Sequence, residues 1–221
     1  MRKGYLVLED GQVFEGLRFG SDGCPIGELV FTTGMGGYLE TLTDPGFAGQ
    51  IVMQTYPLIG NYGVIGEDLE GDCRLKGYVV REICDTPSNF RTEGDLETYL
   101  KEQGVPGICG VDTRELTRIL RENGTMNAII CDEIPADLEA VRTYKVCEPV
   151  AHRDAVVCPA EGEETQKVTL VDFGAKKSII RQLTQRGCTV TVVSGDTSAE
   201  EILAGKPDGV LLSNGAGDPA D

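Results

Sequence analysis

The 221-residue chain has one histidine, His152, and no Cys-x-x-Cys spacing among its eight cysteines. These shortages argue against the ordinary zinc frameworks. They also leave no convincing cysteine–histidine pair for nucleophilic catalysis. No apolar run approaches the ~18–20 residues that span a bilayer. Met1-Arg2-Lys3 leads into Gly4, Glu9, Asp10 and Gly11 rather than into an apolar signal core. The expectation is a cytoplasmic protein with no membrane partner. Basic residues are scarce: 20 Lys and Arg stand against 36 Asp and Glu, a net charge of −16. Such a chain repels polyanions, so nucleic acid is not an expected partner. The charge serves solubility first, and an acidic face for a basic partner is the second reading. The closest cysteines, Cys73/Cys84 and Cys147/Cys158, are eleven apart, and most of the eight sit in apolar, strand-like contexts. They read as free thiols.

What is abundant is glycine, with 29 residues, well above the usual ~7% share. That favours strands and turns over a helical bundle. Tyr5–Leu8 and Val13–Gly16 flank Asp10-Gly11 and read as a hairpin. Residues 28–31, 50–54 and 77–81 are further strand candidates. Asp95 opens one helix whose apolar face is Leu96, Tyr99 and Leu100, and Gly104 closes it. Asp112-Thr113-Arg114-Glu115 opens another in capping-box style, with Glu115 expected to reach back. Its buried stripe is Leu116, Ile119 and Leu120, and Gly124 follows it. Residues 1–145 thus read as a β-rich α+β domain. Pro149, Pro159, Gly162 and a cluster of acids mark residues 146–166 as a linker. His152-Arg153-Asp154 inside it echoes a kinase triplet, but no Asn stands five residues after Asp154 and no glycine-rich phosphate loop precedes it.

From residue 167 the pattern alternates. Strands at 167–173, 189–193 and 208–213 are separated by a helix carrying Ile179, Ile180 and Leu183 and by a short one capped at Ser198-Ala199-Glu200-Glu201. A β-α-β-α-β order means a parallel sheet, and such sheets usually have more than three strands. Residues 167–221 therefore read as the truncated first half of a doubly wound parallel α/β domain.

The third strand feeds Asn214-Gly215-Ala216-Gly217-Asp218-Pro219, beyond a carboxyl end where ligands bind in such sheets. Glycines there let backbone N–H groups face an anion or a developing oxyanion. Three readings compete: a ligand-free turn, a dinucleotide loop and an acyl-transfer oxyanion site. Gly215 to Ala220 formally matches G-x-G-x-x-A, but that fingerprint belongs after the first strand. An oxyanion site also needs a nucleophile and a base, which this chain does not offer.

The residues 31–38 (Phe-Thr-Thr-Gly-Met-Gly-Gly-Tyr), Glu40–Pro45, Gly49–Val52, Thr55–Gly63, Cys84–Asn89 and Gly110–Thr117, taken in order, resemble the small, glutamine-hydrolysing subunit of carbamoyl phosphate synthetase. Residues 167–221 resemble the start of that subunit's class I glutamine amidotransferase domain. The resemblance implies a cysteine thiolate attacking the glutamine amide, a histidine as acid and base, and a glutamyl thioester. Ammonia then passes through a tunnel to the large synthetase subunit, giving carbamoyl phosphate for arginine and pyrimidine synthesis. It implies L-glutamine and that large subunit as partners. No cofactor is implied on this chain, because ATP and magnesium belong to the large subunit. It implies Gly215 as an oxyanion-hole donor through its backbone N–H, and Gly46 and Gly217 as glutamine contacts.

Two departures accompany it. The family places a serine after Thr-Asp-Pro, where this chain has Gly46, so only backbone contact remains. Ala216 stands where proline is common. The nucleophile elbow and the His-Glu pair are missing, so the expectation is a fragment with no useful glutaminase activity and no catalytic side chain of its own. The alternative is a non-catalytic binding or scaffolding protein with the same fold.

Overall fold

The computed structural model describes residues 2–146 and 154–217. Two compact units divide the chain. One comprises Met1–Thr43, Gly49–Leu69 and Cys73–Val146, and the other Asp44–Ala48, Glu70–Asp72 and Cys147–Asp221. The units are therefore interleaved in sequence, which the expected domain of residues 1–145 does not anticipate. Among the described residues no helix is long and apolar enough to cross a membrane.

The first unit contains β1 (Arg2–Leu8), β2 (Val13–Gly20), β3 (Ile26–Thr32), α1 (Tyr38–Leu42), β4 (Gln50–Gln54), β5 (Leu58–Ile59) and β6 (Gly77–Val79). It continues with β7 (Glu82–Ile83), α2 (Leu96–Glu102), β8 (Pro106–Cys109), α3 (Thr113–Asn123), β9 (Met126–Cys131) and α4 (Glu139–Arg142). Seven strands close into a barrel in the order β1-β2-β8-β6-β4-β3-β9, and β9 pairs antiparallel with β1 to complete the ring. β3, β4, β6 and β8 run parallel to their neighbours within that series, and the other contacts are antiparallel. The hairpin of β1 and β2 is the expected one, with Gly11 at φ 93° in its turn.

Strand periodicity sorts the side chains into two faces. Leu6, Leu8, Met126, Ala128 and Ile130 join the barrel core, together with Leu29, Ile51, Met53, Val79 and Ile108. Their sequence neighbours Val7, Ile129 and Cys131 face the other way and pack with Val141 of α4. Leu116, Ile119 and Leu120 bring α3 onto the inner cluster, as its spacing predicts. Asp112 caps that helix by accepting from Arg114 N and Glu115 N. The second half of the expected capping box does not form. Glu115 instead holds Arg118, since a nearby guanidinium outcompetes a return to the backbone.

The second unit contains β10 (Val156–Cys158), β11 (Gln166–Asp172), α5 (Lys177–Thr184), β12 (Cys188–Ser194), α6 (Ala199–Ala204) and β13 (Gly209–Leu212). β11 pairs in parallel with both β12 and β13, and β10 adds antiparallel to β12, giving the order β10-β12-β11-β13. β10 lies inside the stretch expected as a linker. Val156-Val157-Cys158 is short and β-favouring, and its signal is masked by the acids and prolines around it. His152 lies outside the described residues. Leu170, Val190 and Val192 pack under Ile179, Ile180 and Leu183 of α5. α6 carries the full capping box on Ser198 and Glu201.

α5 has no N-cap side chain of its own. Glu70, distant in sequence, replaces one: its carbonyl accepts from Lys177 N at 3.3 Å and its carboxylate from Ser178 N at 2.9 Å. A carboxylate there satisfies orphan donors and complements the helix dipole.

Candidate functional site

β11 ends at Asp172 and its parallel neighbour β13 at Leu212, so their carboxyl ends open on one side. The loop after β11 is shaped by Asp172, which is buried and accepts from Gly174 N at 2.9 Å and Ala175 N at 2.7 Å. This is an Asx turn, in which a side chain does the work of a backbone carbonyl. Ser213 ties the loop after β13 to it. Ser213 N donates to the Val171 carbonyl at 3.0 Å, and Phe173 N donates to Ser213 Oγ at 2.8 Å. The same hydroxyl donates to the Asn214 carbonyl at 2.8 Å.

The third part is the turn at Pro45–Phe47, which belongs to this unit despite its place in the sequence. Asp44 Oδ1 accepts from Gly46 N at 2.9 Å, and Asp44 Oδ2 lies 2.8 Å from Lys176 Nζ. The turn and the two loops meet at Gly174. Its φ is 141°, and a Cβ there would stand 3.1 Å from the Pro45 carbonyl oxygen and 3.3 Å from that of Asn214. Only glycine combines that backbone with that closeness. Gly215 lies against Phe173, where a Cβ would come within 3.1 Å of its carbonyl oxygen.

The segments of Gly46 and Gly215 thus both abut the loop after β11. Gly217, at φ 86°, continues the second of them, while Asp218 and Pro219 lie outside the described residues. The Gly46 N–H is already donated to Asp44 Oδ1. Sequence reasoning missed Asp172, Lys176, Ser213 and Glu70. The Asx turn had a local signal, Asp two residues before Gly174, but the pairing of Asp44 with Lys176 had none.

Gly46, Gly215 and Gly217 line neither of two open cavities. One, of about 820 Å³, lies on the face of the second unit's sheet opposite α5 and is lined by Thr169, Thr189, Thr191, Val193 and Ile202. The other, of about 1040 Å³, belongs to the first unit and gathers Arg81, Arg114, Arg118 and Arg121, four of the chain's twelve arginines. Arg118 is held between Glu115 and Glu122, and its guanidinium keeps the Glu115 carboxyl below the usual carboxylate range. Arg121 sits over the Phe31 ring at 5.7 Å, and Arg81 donates to the Val111 carbonyl at 3.3 Å.

Residues 6–130 match the family model of the carbamoyl-phosphate synthase small chain, CPSase domain, and residues 169–221 match that of class-I glutamine amidotransferase. The carbamoyl phosphate synthase small chain of Clostridium perfringens (strain 13 / Type A) is 51% identical over 226 residues, covering 99% of this chain and 64% of its own length. That of Listeria monocytogenes serotype 4b (strain F2365) is 48% identical over 229 residues, with 100% and 62% covered. That of Oceanobacillus iheyensis is 47% identical over 231 residues, with the same two shares. The chain spans 62% to 64% of the length of these relatives. It belongs to the carbamoyl-phosphate synthase small-chain family.

Proposed function

We propose that this member of the carbamoyl-phosphate synthase small-chain family supplies one wall of a glutamine site and the surface that meets a large synthetase subunit. On this reading the second unit's sheet belongs to a doubly wound class I amidotransferase domain that hydrolyses L-glutamine. Ammonia passes to the large subunit, where ATP and magnesium serve carbamoyl phosphate synthesis. Gly215 offers its backbone N–H to the oxyanion, and Gly46 and Gly217 border the glutamine. The observation that carries the reading is the meeting of the Pro45 and Asn214 carbonyls at Gly174, because it sets the Gly46 turn and the Gly215 loop beside one loop at the sheet's carboxyl ends.

The chain's own contribution is binding and orientation. Backbone donors in a fixed turn need no reorganisation as charge develops on a carbonyl oxygen. Among the described residues no thiol and imidazole are brought together at this site, and on this reading the 221-residue chain alone is expected to release no ammonia from glutamine. The experiment is a titration of L-glutamine followed by amide NMR, with an ammonia-release assay alongside. Shifts confined to residues near 44–48, 173–176 and 213–217, with no ammonia released, support the reading. No shift at millimolar glutamine leaves a shared scaffold, and covalent capture of a glutamine-analogue electrophile would overturn the predicted inactivity.

A further inference from the structure

We propose that Cys24 and Cys131 are a modification site: a thiol pair that closes into a cross-strand disulfide when the protein meets a low-molecular-weight disulfide. β3 and β9 pair antiparallel with Ile26 opposite Ile129, Gly27 opposite Ala128 and Glu28 opposite Asn127. The ladder continues past the strand end, since Ile130 N donates to the Pro25 carbonyl at 3.2 Å. Cys24 lies just before β3, and carrying the same register one step further would set it opposite Cys131. Hydrogen-bonded and non-bonded pairs alternate in such a ladder, and Pro25–Ile130 is a bonded pair, so Cys24–Cys131 takes the non-bonded kind. There the Cα atoms approach to roughly 4.5 Å and the side chains share a face. That is within the ~4.4–6.8 Å that a disulfide bridges.

The surroundings fit the chemistry. Both cysteines are free thiols, Cys24 exposed and Cys131 buried. Arg18 is buried beside them: its guanidinium donates to the Gly23 carbonyl at 2.5 Å and to Asp132 at 2.8 Å, and its Nε has no partner among the described residues. Gly23 and Asp132 are the sequence neighbours of the two cysteines, so a cation borders both. Burial pushes the Cys131 thiol up to about 11, and Arg18 opposes that rise. Cys24 is thus the entering nucleophile and Cys131 the resolving one.

The steps balance. The Cys24 thiolate attacks one sulfur of RS–SR and releases RS⁻, leaving Cys24–S–SR. Cys131 loses its proton to water and its sulfur attacks the Cys24 sulfur, expelling a second RS⁻. The chain loses two hydrogens, and the small disulfide is reduced to two thiols. Cys158 and Cys188 offer an internal control. They share a hydrophobic cluster, but Cys158 stands opposite Val190, so Cys188 is offset by two positions. Diagonal partners lie ~7–8 Å apart, beyond a disulfide's reach.

The test incubates the full chain with oxidised glutathione, quenches with acid, and maps disulfides by mass spectrometry of an unreduced digest. The expected result is a Cys24–Cys131 cross-linked peptide and an intact mass lower by two hydrogens. Cys24→Ser, an exposed change that leaves the circular dichroism intact, abolishes the cross-link. Cys131→Ala leaves Cys24 as a stable glutathione adduct. A wild-type chain whose Cys24 stops at the glutathione adduct overturns the proposal. So does a Cys158–Cys188 cross-link forming as readily, since proximity in the ladder would then not be the cause.

Discussion

The Asp44 carboxylate and the Lys176 ammonium meet at 2.8 Å, although they stand far apart in the sequence. The other oxygen of the same carboxylate accepts the Gly46 N–H. One side chain thus shapes the turn at residues 45–47 and ties it to the start of α5, and its 13% exposed side chain is shielded from most competing water. Replacing Asp44 by Ala removes both interactions and is expected to destabilise this unit by about 1–2 kcal/mol. Lys176→Met removes one, and with about a third of the lysine in water it should cost less than about 1 kcal/mol. Urea unfolding of the two variants and of their double mutant measures the coupling, and equal costs for the two single changes would refute this ordering.

Gly174→Ala tests the meeting point of the three segments. The added methyl enters a space bounded by the Pro45 and Asn214 carbonyls, on a backbone that L-residues rarely adopt. The expected cost is about 1–3 kcal/mol. Amide shifts should spread to both residues 45–47 and 213–215, and a change confined to one of them would mean that the loops are independent.

Gly46→Ser should improve glutamine binding under the proposed function. The new Cβ would stand 3.1 Å from Asp44 Oδ1, so the carboxylate must give by a few tenths of an ångström while it keeps the Gly46 N–H and Lys176. One added hydrogen bond is worth about 0.5–1.5 kcal/mol, which is a gain of roughly 2–10-fold in affinity. Calorimetric titration with L-glutamine reads it directly, and an unchanged or weaker affinity removes position 46 from the site.

Acid should loosen α2 through Asp95. Its carboxylate accepts from Thr98 N and from the Thr98 hydroxyl, both at 2.8 Å, and the Thr98 backbone N–H is the main cause that holds it below the usual carboxylate range. A folded value below the unfolded one means that its stabilisation is complete above the unfolded pKa of ~3.9. It is lost as pH falls through the folded value. Asp95→Asn should flatten this part of the stability–pH profile while keeping an acceptor, and Asp95→Ala should cost about 0.5–2 kcal/mol at neutral pH. Unfolding at a series of pH values checks the sign, and a wild-type profile no steeper in acid than that of Asp95→Asn would contradict it.

Local chemistry was legible in the sequence, and long-range pairing was not. The β1–β2 hairpin, the Asp95, Asp112 and Ser198 helix starts and the parallel sense of the strands at 166–172, 188–194 and 209–212 each follow from neighbours in the chain, whereas the central place of 166–172 among them does not. Barrel closure could not be read this way, because β1 meets β9 across the whole length of the unit with no turn to announce it. The same holds for the candidate site. Its glycines stand out as a motif, but what orients them is Asp44 reaching Lys176 and Glu70 capping α5, and both depend on segments 44–48 and 70–72 leaving the unit that surrounds them in sequence. Glu115 shows the opposite error: a local rule applied where a nearby guanidinium wins.

Because β1 is bonded to β2 on one side and to β9 on the other, the amino-terminal residues are a stave and not a fringe. Trimming residues 2–8 would not shorten the molecule at an end. It would open the ring, wet Ala128 and Ile130 where Leu6 and Leu8 had covered them, and leave two raw strand margins able to recruit a neighbour's backbone.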